Sequence, residues 1–439
     1  MSAMFSSLSV RNYRLWFGGA LVSNTGAWMQ RIAQDWLVLT QLTHEDATAV
    51  GVTMALNFAP QLLLVPITGV VADRFSRRKV LYITQISMAL LGLGLGILTL
   101  TGLVELWMVF GFALGLGIAS AFDAPVRQAF VSELVPANKL TNAVSLNATA
   151  FNIARLIGPA VAGLLVAAVG SGWVFIINAA SFVGVLTALA LLRRSEFEHF
   201  KRPPRANALR DGLRYVRSRP DIQLVMVMVF IMGTFGFNFS VFLATMARTE
   251  FQRDADVFGI LSSVLAIGSI AGALLAARRE RARLRTIALA SLGFGFSVLA
   301  ASLAPNIYVF GAVLIVVGFC SLTTMTTANA YVQTTTRPAM RGRVMALYLA
   351  IFLGGTPLGA PIIGAVSDAV GPRIAMGAGG VAGFLTAAIA AIFFLRTRRV
   401  RVRFVRRRWP LAIHYGRSVG DRELATTEIA IVEAETQRT

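Results

Sequence analysis

Gly69-Val70-Val71-Ala72-Asp73-Arg74-Phe75-Ser76-Arg77-Arg78-Lys79 is the stretch on which the fold turns. It places one acid and four bases between two apolar blocks, residues 49–72 and 79–101. A hydrocarbon core about 30 Å thick is crossed by roughly 20 apolar residues in a helix. Each block has that length, and a basic turn this short between them predicts a helical hairpin through a membrane. Lys and Arg are retained on the cytoplasmic side, so the turn is placed there.

The same window, moved outward, finds ten further blocks: 12–39, 106–131, 142–168 and 173–193, then 221–247, 257–277, 286–303, 306–332, 343–367 and 374–395. The chain therefore reads as an all-α membrane protein with 12 transmembrane helices in two six-helix bundles. The first block is too long for a cleaved signal peptide and lacks a basic leader, so it counts as a span.

Alternate connections are basic. Arg278, Arg279, Arg281, Arg283 and Arg285 follow span eight, and residues 194–220 hold Arg194, Lys201, Arg202, Arg205, Arg210, Arg214, Arg217 and Arg219. The opposite connections hold only Arg248, Arg253 and Arg373, beside Glu45, Asp46, Glu105, Asp254 and Asp256. This asymmetry predicts a multi-pass membrane protein with both termini cytoplasmic.

The composition agrees. Of 439 residues, 56% are hydrophobic and only 14% charged, where a soluble protein has about a quarter charged. The net charge of +20 would suit nucleic acid, but the bases sit in alternate loops, so it reads as a record of topology and of contact with anionic lipid, with no nucleic-acid partner. One cysteine, Cys320, excludes a disulfide framework. There is no GxxxxGK[ST] loop for ATP hydrolysis and no HExxH zinc motif, and no nucleophile–base pair marks an enzyme.

Residues 1–193 form the first predicted bundle and 221–396 the second. The charged loop 194–220, with Pro203-Pro204 and an amphipathic second half, separates them, and 397–439 is a cytoplasmic tail. Pro136 and Pro159 recur as Pro338 and Pro361, each 202 residues further on, a faint internal repeat.

Charges inside hydrocarbon cost a few kcal/mol or more, so their positions carry function. Arg31 and Asp35 lie in span one, Asp123 and Arg127 in span four, and Arg155 with Asn152 in span five. At about 100° per residue, Asn24, Trp28, Arg31 and Asp35 fall on one face of span one, which should line a cavity. Trp28 would stack on a substrate, Asn24 would hydrogen-bond it, and Asp35 would take and release a proton. The competing reading is a structural Arg31–Asp35 salt bridge, and it weighs more heavily for Asp123–Arg127. Arg155 would bind an anionic group or neutralise an acid. Spans seven to twelve are expected to hold only neutral polar groups, such as Asn238, Thr323, Thr324, Thr326, Thr327 and Asn329.

The turn at Gly69–Lys79 resembles the GxLxDRxGRR signature of the major facilitator superfamily, with Ser76 where glycine is usual. Gly69 is expected to permit close helix approach. The resemblance implies that Asp73, Arg74, Arg77 and Arg78 hold one conformational state by pairing with neighbouring helix ends, with Glu133 as a partner. The matching turn after span eight lacks the acid. Gly158-Pro159-Ala160-Val161-Ala162-Gly163 is similar to the antiporter motif of that superfamily's exporters. The runs Asn24–Trp36, Asp123–Phe130 and Ala154–Pro159 resemble its bacterial efflux branch. These resemblances imply a monomeric secondary transporter that exports a small drug or siderophore-like molecule by alternating access. The proton gradient would be its energy source, and no cofactor would be needed. An importer, a receptor and a lipid scramblase are the alternatives.

Overall fold

The computed structural model describes residues 3–197, 208–277, 282–397, 401–404 and 411–414. Helix occupies all twelve expected positions. Hydrocarbon offers the backbone no hydrogen-bond partner, and a helix satisfies its own N–H and C=O groups. Among the described residues, ten helices are long and apolar enough to cross a membrane. The first span, Arg11–Leu37 with a wider turn to Leu42, is charged, and the second is interrupted.

Span two runs as Ala47–Leu63 and then Val65–Arg74, because Pro66 opens the second piece and cannot continue the ladder of the first. Spans three to six are Arg77–Leu100, Leu106–Leu134, Leu140–Val169 and Ser171–Leu191. Span seven starts with Pro220 in its first turn and breaks at Phe237 and Asn238 before finishing at Glu250. Spans eight to twelve are Ala255–Ala277, Leu284–Ser302, Ile307–Thr335, Pro338–Val370 and Pro372–Thr397. Gly170 (φ 86°) and Gly371 (φ 92°) each turn one span directly into the next, at matching places in the two sets of six. Such φ values are open to glycine and costly to other residues.

The amphipathic segment of the middle loop forms the helix Ala208–Arg217, which lies against the start of span eleven through an Asp211–Arg343 ion pair of 2.9 Å. Lys201, Arg202, Arg205 and the Pro203-Pro204 pair fall outside the described residues, as do Arg278, Arg279 and Arg281. In the tail, Arg401–Phe404 pairs antiparallel with Leu411–His414.

The apolar core is arranged differently at the two ends of the molecule. At the end bearing the basic loops each set of six spans has its own core, one around Trp16, Phe130 and Phe182, the other around Ile222, Val332 and Tyr348. At the end bearing the acidic loops a single core joins both sets, from Trp36 and Val50 to Phe258 and Ala360. Trp36 stacks on Phe258 there, with ring centroids 5.7 Å apart. The two sets thus meet at the acidic-loop end and separate toward the basic-loop end.

Small residues bring the sets together. A side chain on Gly51 would overlap Ala360, one on Gly364 would overlap Ala47, and Gly163 faces Gly259 so closely that neither tolerates a Cβ. The Asp368 carboxylate, at the end of span eleven, accepts hydrogen bonds from the Ala47 N–H (2.8 Å), the Thr48 N–H (2.8 Å) and the Thr48 hydroxyl (2.5 Å). An anion at a helix start answers both its unpaired N–H groups and its dipole. Beside it, Arg248 of span seven donates to Glu45 at 3.0 Å.

Replacing Asp368 with Ala removes three hydrogen bonds across the join, and charged hydrogen bonds of this kind are worth about 1–2 kcal/mol in total at a half-exposed site. Spin labels at Thr101 and Tyr308, on opposite sets, should then show a longer distance population that is minor in the parent. An unchanged distance distribution would count against a holding role for Asp368.

Candidate functional site

Where the two cores part, span one presents Asn24, Trp28 and Arg31, all half-buried, toward the space between the sets, with Asp35 at 4% exposure one turn further in. The Arg31 guanidinium carbon is 5.0 Å from the centroid of Trp28 and 5.0 Å from that of Phe58 in span two. The Arg155 guanidinium carbon, from span five, is 5.9 Å from the same Trp28 ring. Phe151 meets Trp28 edge-on at 6.0 Å. A weakly hydrated guanidinium is well suited to lie on an aromatic face, which leaves the N–H donors at its edge available.

No ion pair joins Arg31 to Asp35 among those of the described residues, all within 4 Å. Arg31 instead lies on the rings and keeps Asp35 within electrostatic range, while Ser240 of span seven faces the carboxylate from the other set. Arg155 borders a narrow cleft with Leu156 on its own span, Ala266, Ser269 and Ile270 on span eight and Leu322 on span ten. The Asn152 side chain lies outside the described residues.

Asp123 is placed differently. One oxygen accepts from the Thr84 hydroxyl (2.9 Å) and the Gln85 amide (2.6 Å), and the other accepts from Arg127 Nε at 2.7 Å. Arg127 in turn lies 5.5 Å from the Trp16 ring. This network ties spans one, three and four together within the core of the first set.

At the turn that opened the sequence, Arg77 Nη1 donates to Glu133 at 2.8 Å and to the Ala129 carbonyl at 3.3 Å, closing span three onto the end of span four. Arg78 Nη2 donates to the Leu189 carbonyl at 2.6 Å, so it caps the last turn of span six. Arg74 is exposed in the last turn of span two, where a cation complements the helix dipole. The Asp73 side chain lies outside the described residues. Gly69 does not permit a close approach here: open space surrounds the position of its missing Cβ, because span two has already left the interface at that depth.

The Gly158–Gly163 run has two working faces. Gly158 abuts the Cβ of Trp28 and the Thr25 carbonyl, so span five presses against span one at the tryptophan. Gly163 and the Pro159 carbonyl face Gly259 on span eight. One short motif therefore positions Trp28 and joins the two sets.

The second set is not free of buried charge. Asp221, in the first turn of span seven and 3% exposed, forms a bidentate pair with Arg219 (2.9 and 2.8 Å) and accepts from the Tyr331 hydroxyl at 2.9 Å. Arg219, counted in the sequence as a loop cation, also donates to the Thr335 carbonyl at 3.0 Å and to the Tyr215 hydroxyl at 3.1 Å. Sequence reasoning also missed the buried pair in which the Asn178 amide of span six donates to Gln30 of span one. Of the neutral groups it singled out, Asn238 sits at the break in span seven with its amide on the Thr234 carbonyl (2.7 Å) and its oxygen unpaired. Thr324 and Thr326 bond back onto their own helix, and Asn329 pairs with Gln333.

Two sets of six membrane helices, joined at one end and parted over a charged cleft at mid-depth, define a transporter of the major facilitator fold. The chain belongs to the transmembrane secretion effector family of that superfamily, whose pattern matches residues 2–412. It is 26% identical over 404 residues to the staphyloferrin A transporter of Staphylococcus aureus, covering 89% of this chain and 97% of that protein. It is 23% identical over 374 residues to the enterobactin exporter EntS of Shigella flexneri, covering 83% and 87%. Among solved structures, a bacterial homolog of the human lysosomal transporter Spinster, inward-facing and unoccupied, superposes with a TM-score of 0.70. The identity is 17%, with 90% of this chain and 98% of that one covered. The family and its structural neighbours are transporters, not enzymes.

The two kinds of acid should respond differently to substitution. Asp123→Asn leaves Arg127 as a buried cation without its counter-charge, a loss of about 3 kcal/mol for a broken buried pair. Its melting temperature in detergent should fall clearly, whereas Asp35→Asn, which breaks no ion pair, should melt close to the parent. Equal losses for both variants would mean that Asp35 is as structural as Asp123.

Proposed function

We propose that the chain is a proton-coupled exporter of a small drug or siderophore-like molecule in the bacterial inner membrane, with both termini cytoplasmic. Its two bundles, 1–193 and 221–396, rock about a site near mid-depth. The observation that carries this reading is the gathering of Arg31 and Arg155 on the Trp28 ring, with Asp35 beside Arg31 and Arg155 on the cleft between the bundles, without a saturating set of partners. Family membership and the exporter among the relatives support the direction.

In this reading the present conformation opens toward the cytoplasm, since the basic-loop end is the parted one. Cargo enters there and reaches the face of span one. Asp35 carries the proton: it sits at the join of the two bundles, facing Arg31 from its own helix and Ser240 from span seven. A change in its charge alters the balance between the closed join and the parted one. Asp123, saturated by Thr84, Gln85 and Arg127, holds the first bundle rigid. The Arg77–Glu133 pair ties span three to span four and so fixes the cytoplasmic turn in this state.

Inverted membrane vesicles test the proposal. Acidifying the interior should drive accumulation of the cargo, identified by its retention in a deletion strain. Asp35→Asn should abolish the dependence on the pH gradient and leave counterflow exchange intact. Accumulation driven only by an alkaline interior would make the protein an importer, and gradient-driven transport unchanged in Asp35→Asn would remove Asp35 as the carrier.

A further inference from the structure

We infer that the cargo is an organic oxyanion, bearing carboxylate or phosphate groups, and that Arg31 and Arg155 are the residues that hold it. The inference rests on the transport reading above and deepens it to a substrate class.

The argument is one of unbalanced charge. Around Trp28 the described residues bring together two guanidinium groups, Arg31 and Arg155, and one acid, Asp35, which neighbours Arg31. The neighbouring acid, Asp123, is committed to Arg127, Thr84 and Gln85. A lone cation within a membrane carries a cost that proteins avoid unless a counter-charge arrives. Arg155 has no acidic partner among the described residues, and the cleft beside it is lined by the neutral side chains of Leu156, Ala266, Ser269, Ile270 and Leu322.

The geometry suits an oxyanion. Arg31 is held between Trp28 and Phe58, each ring centroid 5.0 Å from its guanidinium carbon, so both rings fix the group, and its edge donors make no hydrogen bond among the described residues. Arg155 stands 5.9 Å from the same indole, so both guanidinium groups are anchored to one side chain. A planar fork of N–H donors matches the two oxygens of a carboxylate or phosphate. A cationic drug would meet the opposite of what it needs, since Asp35 is 4% exposed and faces Arg31.

Equilibrium binding to the purified protein in detergent, with no gradient, tests the inference. The probes are naphthalene-2,6-dicarboxylate, benzene-1,3-dicarboxylate and 1-naphthyl phosphate, set against the dimethyl esters of the two acids and 2,6-bis(aminomethyl)naphthalene. At least one oxyanion should bind tenfold or more tightly than the esters and the diamine. Arg155→Gln should weaken that binding at least tenfold and Arg155→Lys less, both variants melting near the parent when unliganded. The tighter of the carboxylate and phosphate arms names the head group. Binding of the diamine or an ester as tightly as the oxyanions, no binding by any oxyanion, or oxyanion binding unchanged in both Arg31→Gln and Arg155→Gln would overturn the inference. Oxyanion binding without transport would overturn the export reading alone, and gradient-driven export of a cationic compound that the diamine displaces would overturn this one alone.

Discussion

A charge in hydrocarbon must be answered by the protein, and this chain answers its charges in two ways. Asp123 and Asp221 are each surrounded by donors from neighbouring helices, and each binds an arginine two or four residues away. Such groups fix which helices stand together, and removing one partner leaves a stranded charge. Arg31, Asp35 and Arg155 are left with aromatic faces and electrostatic neighbours in place of saturated hydrogen bonds. Everything proposed about cargo and proton follows from that difference.

The same contrast orders the molecule along the membrane normal. Toward the acidic loops, backbone lies on backbone and one core serves both sets of helices. Toward the basic loops the sets have separate cores; there Arg77–Glu133 closes span three onto span four, and Asp211–Arg343 holds the middle-loop helix against span eleven. The tryptophan of the site lies between these regimes, pressed by Gly158 of a motif whose other end seals the join at Gly259. The position of Trp28 and the contact between the two sets are therefore linked through one turn and a half of span five.

Much of this was legible in the sequence because hydrocarbon is a strict solvent. The spans could be read from length and apolarity, and the stripe Asn24, Trp28, Arg31, Asp35 from helical periodicity alone. Partners were harder to read. Arg219 and Asp221 look like loop charges at a span boundary, and only the packing of Tyr331 and Tyr215 around them makes them a buried pair. The alternative for Arg31 and Asp35, a salt bridge at helical spacing, is sound for an isolated helix. Here the rings of Trp28 and Phe58 compete for the guanidinium, and Phe58 belongs to another span. Gly69 shows the converse: its spacing promised contact, but the glycines that make contact across the join are Gly51, Gly163, Gly259 and Gly364.

Those glycines bear on how easily the molecule can change shape. Where helices mesh through long side chains, parting them means withdrawing knobs from holes and finding new rotamers for each. The join between Gly51 and Ala360, and between Gly163 and Gly259, has no such teeth. At those points the backbones can slide past one another with little side-chain rearrangement, although the apolar core around Trp36 and Phe258 must still be parted. A few directional polar contacts, Asp368 on Ala47 and Thr48 and Arg248 on Glu45, add to the apolar core there, and they break or form all at once. Close backbone contacts, a shared apolar core and a small polar clasp that breaks all at once favour two discrete states over a continuum between them.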